Sequence, residues 1–305
     1  MTDPWIVFDV TLAVGLLAVA WLSLASRDAF RMIVLFMMFG LLASLGWVRL
    51  NAPDVALAEA AVGAGITGAL LLRTLSALRH EPKEPSTALP TAFIAGVLSL
   101  MITTALVVAF ILAPDLATGY DRDVGARMDQ SGVTNPVTAV LLNFRSYDTL
   151  LEIVVLAAAL TIVLMLGSKP IALRPLGPLF VPFAKVIVPV SIIIAGYLLW
   201  LGASRPGGAF QAAAVLGAGG IVLILGRHYD PQERHGGMIR LICAIGLGGF
   251  VLAAIGAQIL TGDMLRYPQG QEKIWIIIIE ATLTVSVAAT LAALFVGATR
   301  REGRP

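Results

Sequence analysis

Cysteine and histidine are scarce in this chain. Cys243 is the only cysteine among 305 residues, and it lies within an apolar run. The three histidines, His80, His228 and His235, all fall in polar stretches between such runs. This inventory excludes a disulfide framework, an iron–sulfur ligand set and a pair of intramembrane haem ligands. We therefore expect no redox chemistry in the chain itself, no cofactor, and no metal beyond a transient Na+.

Charge is scarce as well, and apolar residues dominate. Only 13% of residues are charged and 58% are hydrophobic, whereas a soluble domain carries roughly a quarter charged residues. The net charge of +2 gives no reason to expect a nucleic-acid partner. A membrane span needs about 20 mostly apolar residues. About nine segments meet that requirement, namely 4–24, 29–48, 53–75, 89–113, 148–167, 182–201, 207–226, 237–260 and 274–298.

These runs predict an all-α integral membrane protein with about nine transmembrane helices in a lipid bilayer. Segment 134–144 is too short to span and is broken by Asn135, Pro136 and Asn143, so we expect a re-entrant or interfacial helix there. The first ten residues contain no Lys or Arg, so we expect the first span to be retained rather than cleaved as a signal peptide.

The distribution of basic residues predicts the orientation in the membrane. With the N-terminus outside, the inner loops and the C-terminal end collect about two thirds of the 21 Lys and Arg residues. Cytoplasmic loops carry such an excess. We therefore expect a multi-pass protein of the cell inner (cytoplasmic) membrane, with its N-terminus outside and its C-terminus in the cytoplasm.

Three acidic residues, Glu59, Glu152 and Glu280, lie a few residues inside separate apolar spans. An ionisable group at membrane depth costs about 2.5–3.5 kcal/mol on insertion scales and usually marks an ion or proton path. In the predicted topology all three spans enter from the outer side, which places the glutamates roughly 6–10 Å below that surface. They are our first candidates for ion translocation.

Local helix chemistry offers a second explanation for some of these acids. Pro53 and Asp54 suit the first turn of the third span, where an acid faces the positive end of the helix dipole. Thr149 and Glu152 form a T-x-x-E capping box, in which the glutamate bonds back to the helix start. Both explanations stay open beside a role in transport.

A glycine-rich string within the third span has the spacing of a dinucleotide fingerprint. Gly63, Gly65 and Gly68 spell G-x-G-x-x-G, but that motif joins a strand to a helix in a soluble unit. Ala60, Ala64 and Gly68 form a small-xxx-small ridge instead, so we interpret the string as a helix-packing surface.

Two linkers rich in proline divide the chain. They are HEPKEPSTALP at 80–90 and GSKPIALRPLGP at 167–178. We expect three blocks, with three spans in 1–80, two spans and the short helix in 88–167, and four spans in 174–300.

Three strings resemble known families and match these blocks. APDVALAEAAVGAG at 52–65 is similar to the signature of a small three-span subunit of membrane-bound hydrogenase complexes, which recurs at the C-terminal end of the large Mrp antiporter subunit. NFRSYDTLLEIVVL at 143–156 resembles the segment that follows it in both systems. From Arg174 onward, and especially in RPGGAFQAAAVLGAGG at 205–220, the chain resembles the B subunit of Mrp-type Na+/H+ antiporters. Gly63 stands where the large Mrp subunit places an acid, so the hydrogenase-type variant is the closer match.

The resemblance implies one fused subunit of a cation-exchanging or proton-pumping assembly related to complex I, with no enzymatic chemistry of its own. It places Glu59 and Glu152 in the ion path, with Asp54 and Asp148 as flanking acids. Other membrane subunits, including antiporter-like large subunits, are the expected partners, and the sequence does not decide whether a soluble redox module is attached. Arg145 is a candidate modulating charge near Glu152.

Further alternatives remain at this point. Lys185 lies near the inner end of its span, where snorkelling to the interface competes with a role in proton transfer. The chain could also be a structural subunit that only joins its partners, or a self-sufficient transporter.

Overall fold

The computed structural model describes residues 4–78, 89–112, 121–166, 177–226 and 236–297. Every regular element in these ranges is helical. Eight helices are long and apolar enough to cross a membrane, and a shorter apolar helix of 17 residues accompanies them. The prediction of an all-α integral membrane protein is confirmed.

The chain begins with a helical hairpin. Helix α1 (Pro4–Ala25) packs against α2 (Ala29–Arg49). Asp28 caps α2 because its side chain accepts a backbone hydrogen bond at 3.1 Å from the first turn. Arg49, the last residue of α2, pairs with Asp9 of α1 at 2.8 Å and ties the open ends of the two helices together.

The third span is interrupted by a π-helix. Helix α3 (Pro53–Ala58) continues into π1 (Glu59–Ile66) and then into α4 (Thr67–Leu78). The Thr67 hydroxyl donates to the Val62 carbonyl, five residues earlier, at 2.8 Å. Such wide turns are rare inside helices and occur frequently at functional sites. The sequence predicts the span but gives no sign of this interruption.

The small-residue ridge of the third span packs against α2. Ala64 is buried, and a Cβ built on Gly40 of α2 would lie 3.0 Å from the Ala64 Cβ. A Cβ on Gly68 would clash with the Met37 side chain. The interpretation of the glycine-rich string as a helix-packing surface is confirmed.

A separate compact unit covers residues 78–127. It contains α5 (Leu89–Leu112), which meets the criterion for a span, and the short helix α6 (Asp121–Gly125). Within it, the side chains of Arg127 and Asp123 approach to 3.9 Å across one helical turn.

The short segment predicted at 134–144 is helical and has two parts. Helix α7 (Pro136–Ala139) leads into a second π-helix, π2 (Val140–Phe144). Arg145 then breaks the helix with φ −131° and ψ 39°, and α8 (Ser146–Leu166) follows as a full span. The predicted separation between a short helix and the next span is therefore present.

The last four helices form a bundle around α12. They are α9 (Phe180–Leu201), α10 (Ala209–Leu225), α11 (Gly236–Thr261) and α12 (Glu272–Val296). Helix α12 packs against α10 and α11 and also contacts α8. The most deeply buried large side chains of this bundle are Phe250, Ile276, Ile279 and Leu283.

Glycines allow α12 to approach its neighbours closely. A Cβ on Gly217 of α10 would lie 3.2 Å from the Ala288 carbonyl oxygen, and one on Gly246 of α11 would lie 2.6 Å from the Ser286 Cβ. Small residues at helix interfaces permit such approach in membranes, where packing rather than water exclusion drives association.

Candidate functional site

Glu59 lies at the first position of π1, and its carboxylate is held against two glycines. Its Oε1 would lie 2.5 Å from a Cβ on Gly63 and 3.0 Å from a Cβ on Gly40 of α2. The side chain is half-buried. The absence of side chains at Gly40 and Gly63 thus makes the space that the carboxylate occupies between α2 and π1.

Glu152 is exposed on α8 and lines a groove of about 720 Å³, which we term the open groove. Asp148, one turn earlier on α8, lines the same groove. The remaining walls are apolar and come from π1, α8, α10 and α12: Val62, Leu151, Val155, Leu156, Phe210, Val287 and Leu291. Glu152 is therefore a mid-span carboxylate that the chain leaves accessible.

Arg145 pairs with Asp148 at 2.6 Å. Both side chains are largely exposed, and such pairs are worth about 0–1 kcal/mol. None of the ion pairs within the described residues involves Glu152. Arg145, the predicted modulating charge, therefore pairs with Asp148, which lies one turn before Glu152 on α8.

The capping-box explanation of Glu152 is wrong. Helix α8 begins at Ser146, so Thr149 lies inside the helix instead of preceding it. The buried Thr149 hydroxyl donates to the Leu141 carbonyl of π2 at 2.7 Å, which ties the short segment to the span. Glu152 is thus too far along α8 to satisfy its first amides.

Glu280 is only 2% exposed and lies eight residues into α12, about 12 Å along the helix axis. Its carboxylate faces the backbone of Ala209, the first residue of α10. A Cβ on either Gly202 or Gly208 would lie 3.1 Å from Oε1. Gly208 has no side chain to cap α10, and Glu280 places a carboxylate beside this helix start from a neighbouring helix.

Asp54 is also buried, and its contacts reach both other blocks of the chain. Its Oδ1 accepts hydrogen bonds from the Gly207 amide at 3.1 Å and from the Asn135 side chain at 3.4 Å. Its backbone carbonyl accepts one from the Gln211 side chain at 3.2 Å. We term this set of contacts, together with Glu280 on Ala209, the polar junction.

The turn between α9 and α10 is not helical, although it lies beside the mid-span residue Glu280. Its carbonyls find partners in the segment that begins α7. Ala203 accepts from the amides of Thr134 and Asn135, at 2.9 and 3.2 Å, and Gly202 accepts from the Thr138 hydroxyl at 2.6 Å. Irregular backbone at membrane depth is tolerated where protein or water satisfies it, and the short segment 134–144 supplies that satisfaction here.

The remaining candidate, Lys185, lies apart from these places. Lys185 is exposed on α9, and no described acid lies within ion-pair distance of it. Burial raises the pKa of Tyr267, in the loop between α11 and α12, to about 12, so this phenol stays neutral at physiological pH. Among the described residues, no group of three or more His, Cys, Asp or Glu side chains could hold a metal ion.

The five predicted acids thus fall into three places. Asp54 and Glu280 share the polar junction, Asp148 and Glu152 share the open groove, and Glu59 stands against α2. Sequence reasoning missed Asn135, Thr138 and Gln211 as participants. Gln211 carried the clearest signal, because it is an isolated amide in an otherwise apolar span.

Two family models match the chain. Residues 14–80 match MbhD, the family of the D subunit of MBH. Residues 179–299 match MnhB, a domain related to the MnhB subunit of Na+/H+ antiporters. Among curated proteins, none matches the chain significantly.

Two solved structures share the fold. A chain of the Mrp complex from Dietzia sp. DQ12-45-1b is 21% identical with a TM-score of 0.78, over 100% of this chain and 36% of that chain. A chain of the membrane-bound sulfane sulfur reductase, an archaeal respiratory membrane complex, is 22% identical with a TM-score of 0.53, over 67% of this chain and 96% of that chain. The present chain thus spans about a third of the Mrp chain. Together with the shared fold, the family matches confirm the expectation of a fused membrane subunit with an MbhD-like stretch and an MnhB-like stretch.

Proposed function

We propose that this subunit helps Na+ or H+ cross the membrane within a multisubunit antiporter or complex I-related pump, and that Glu152 carries ions at the open groove. The supporting observation is the position of Glu152, a carboxylate within a span that is exposed and unpaired among the described residues. An acid facing lipid would be costly, so a hydrated route or a partner subunit must cover it. We propose that the chain does no enzymatic chemistry of its own.

The other acids have distinct parts in this proposal. Asp148 flanks Glu152, and Arg145 offsets its charge. Glu59 contributes a second carboxylate to the path, at the π-helix. Glu280 and Asp54 also contribute carboxylates to the path, at the polar junction. Lys185 serves as a modulating charge at the membrane interface.

The partners follow from the apolar walls of the open groove. They suit the transmembrane helices of another membrane subunit, and we propose an antiporter-like large subunit among them. The match to the Mrp chain supports this, because it covers 36% of that chain, which extends well beyond the matched region. A soluble redox module is a second possible partner, and copurifying iron–sulfur subunits would identify it.

The localisation proposal follows the basic residues. We propose the cell inner membrane, with the N-terminus outside and the C-terminus in the cytoplasm. We further propose that the blocks 1–80, 88–167 and 174–300 are the units that were fused. Cysteine tags placed at the two ends and labelled from either side would test the orientation.

The Glu152→Gln variant tests the transport proposal. Glutamine keeps the size and hydrogen-bonding capacity of the side chain but cannot carry charge. We expect normal assembly and loss of cation-dependent proton transport in membrane vesicles. Asp263→Asn is the matched control, since Asp263 is exposed in the loop between α11 and α12 and its side chain pairs with Arg266.

The same experiment separates the rival functions. If the Glu152→Gln complex assembles and transports at the wild-type rate, the chain is a structural subunit and the acids only satisfy polar contacts. Transport by the purified chain alone in liposomes would instead identify a self-sufficient transporter.

A further inference from the structure

Two buried carboxylates from different parts of the chain bind the same turn. Asp54, in the MbhD-like part, accepts the Gly207 amide at 3.1 Å. Glu280, in the MnhB-related part, lies against the backbone of the next two residues, Gly208 and Ala209. One short stretch of backbone between α9 and α10 therefore connects the two acids.

This stretch is tied to the end of α9 by its own hydrogen bonds, but no side chain of the stretch caps the start of α10. Gly208 has φ 108°, a conformation that favours glycine, and it provides no side-chain cap for α10. Its amide donates a hydrogen bond to the Leu198 carbonyl at 3.0 Å. A Cβ on Gly202 would lie 2.6 Å from the Gly208 Cα, so the turn also has no space to relax inward.

Asp54 supplies the missing restraint from outside the MnhB-related part. Its carboxylate fixes the Gly207 amide, and its carbonyl holds Gln211 in the first turn of α10. These two contacts lie on either side of Ala209, the residue whose backbone faces Glu280. The Asn135 side chain links Asp54 to the turn between α9 and α10. It donates hydrogen bonds to the Asp54 carboxylate at 3.4 Å and to the Arg205 carbonyl at 3.0 Å.

We infer that Asp54 is a positioning residue for Glu280: by clamping the turn before α10, it sets the position of the backbone that the Glu280 carboxylate faces. The MbhD-like part thereby controls the setting of an acid in the MnhB-related part. The inference rests on the proposed function only in the claim that Glu280 takes part in transport. The contact itself is independent of transport.

Infrared spectroscopy of the purified complex at acidic pH tests the inference. The carbonyl band of protonated Glu280 is identified as the band that Glu280→Gln abolishes. Because its frequency reports hydrogen bonding, we expect Asp54→Asn to shift this band. Asp148→Asn removes an acid in the first turn of α8 that does not touch the turn between α9 and α10, so it should leave the band in place.

A double-mutant cycle supplies a second readout. Asp54 and Glu280 act on one turn. The double variant that carries both Asp54→Asn and Glu280→Gln should therefore lose less thermal stability than the sum of the losses in the two single variants. If Asp54→Asn does not accumulate, Asn135→Ala, which removes one donor to Asp54, replaces it in both measurements. An unshifted Glu280 band together with additive stability losses would overturn the inference. Neither result depends on whether Glu152→Gln abolishes transport, so the two proposals fail separately.

Discussion

The polar junction and the open groove place acids of the same chain in opposite surroundings. At the junction both acids are buried: Asp54 accepts a hydrogen bond from the Gly207 amide, and the Glu280 carboxylate lies against Gly202 and Gly208. At the groove, Glu152 is exposed, and its neighbour Asp148 is balanced by Arg145 alone. Both places include residues near the start of α10, Gly207 and Phe210 respectively.

The difference shows that an acid in a span can be kept for two physical reasons. A buried carboxylate that satisfies orphan amides stabilises irregular backbone, which would otherwise be costly at membrane depth. An exposed carboxylate in an apolar groove, such as Glu152, has no ion-pair partner among the described residues, so an ion or a partner must account for it. The acidic residue type alone does not distinguish these cases, whereas its contacts do.

The largest effect is expected from filling the polar junction. Gly202→Ala places a Cβ 2.6 Å from the Gly208 Cα, with the Glu280 Oε1 at 3.1 Å. Overpacking costs about 1–3 kcal/mol and sometimes more, and the backbone here cannot yield. Thermal unfolding of the purified complex should show a large loss. Gly196→Ala on α9 meets no atom within 4 Å and should unfold like the wild type.

Helix α8 offers a comparison between its two faces. Ile153 is 3% exposed, whereas Val155 is 66% exposed and lines the open groove. Ile153→Ala should cost about 2 kcal/mol, at the lower end for buried truncations, because membrane packing lacks the contribution of water exclusion. Val155→Ala should change stability by less than about 0.5 kcal/mol. Equal losses in thermal unfolding would mean that the groove is filled by the chain itself.

A smaller effect is expected from removing one amide of the junction. Asn135→Ala deletes the donor to Asp54 and to the Arg205 carbonyl. Loss of such buried bonds costs about 1–2 kcal/mol, which unfolding in detergent can detect. Gln258→Ala is a suitable control, because its side chain donates to the Gly262 carbonyl at an exposed site. Similar losses in the two variants would contradict the importance of the junction.

The sequence predicts the helices well and the contacts poorly. Runs of apolar residues identify the spans, because lipid permits few alternatives to a helix. Asn135, Pro136 and Asn143 correctly mark 134–144 as a separate short element. The π-helices leave no local signature, since their wide turns depend on packing against α2 and α8.

The polar junction was beyond prediction for a different reason. Asp54, Asn135 and Gly207 are far apart in sequence, and one chain gives no order of helices in the membrane plane. Local chemistry suggested a helix-start acid for Asp54 and a capping box for Thr149 with Glu152. The helix-start prediction agrees with the position of Asp54 in the first turn of α3 but omits its long-range contacts. The capping-box prediction is wrong because α8 begins at Ser146, three residues before Thr149.

Access of water to the open groove is the most direct test of the transport proposal. In a Cys243→Ala background, Glu152→Cys and Glu280→Cys would each be exposed to a small charged thiol reagent in the assembled complex within membranes. The account predicts rapid modification at position 152 and much slower modification at position 280, which the chain itself buries. An unreactive thiol at position 152 would contradict it, because no hydrated route would then reach the acid proposed to carry the ion.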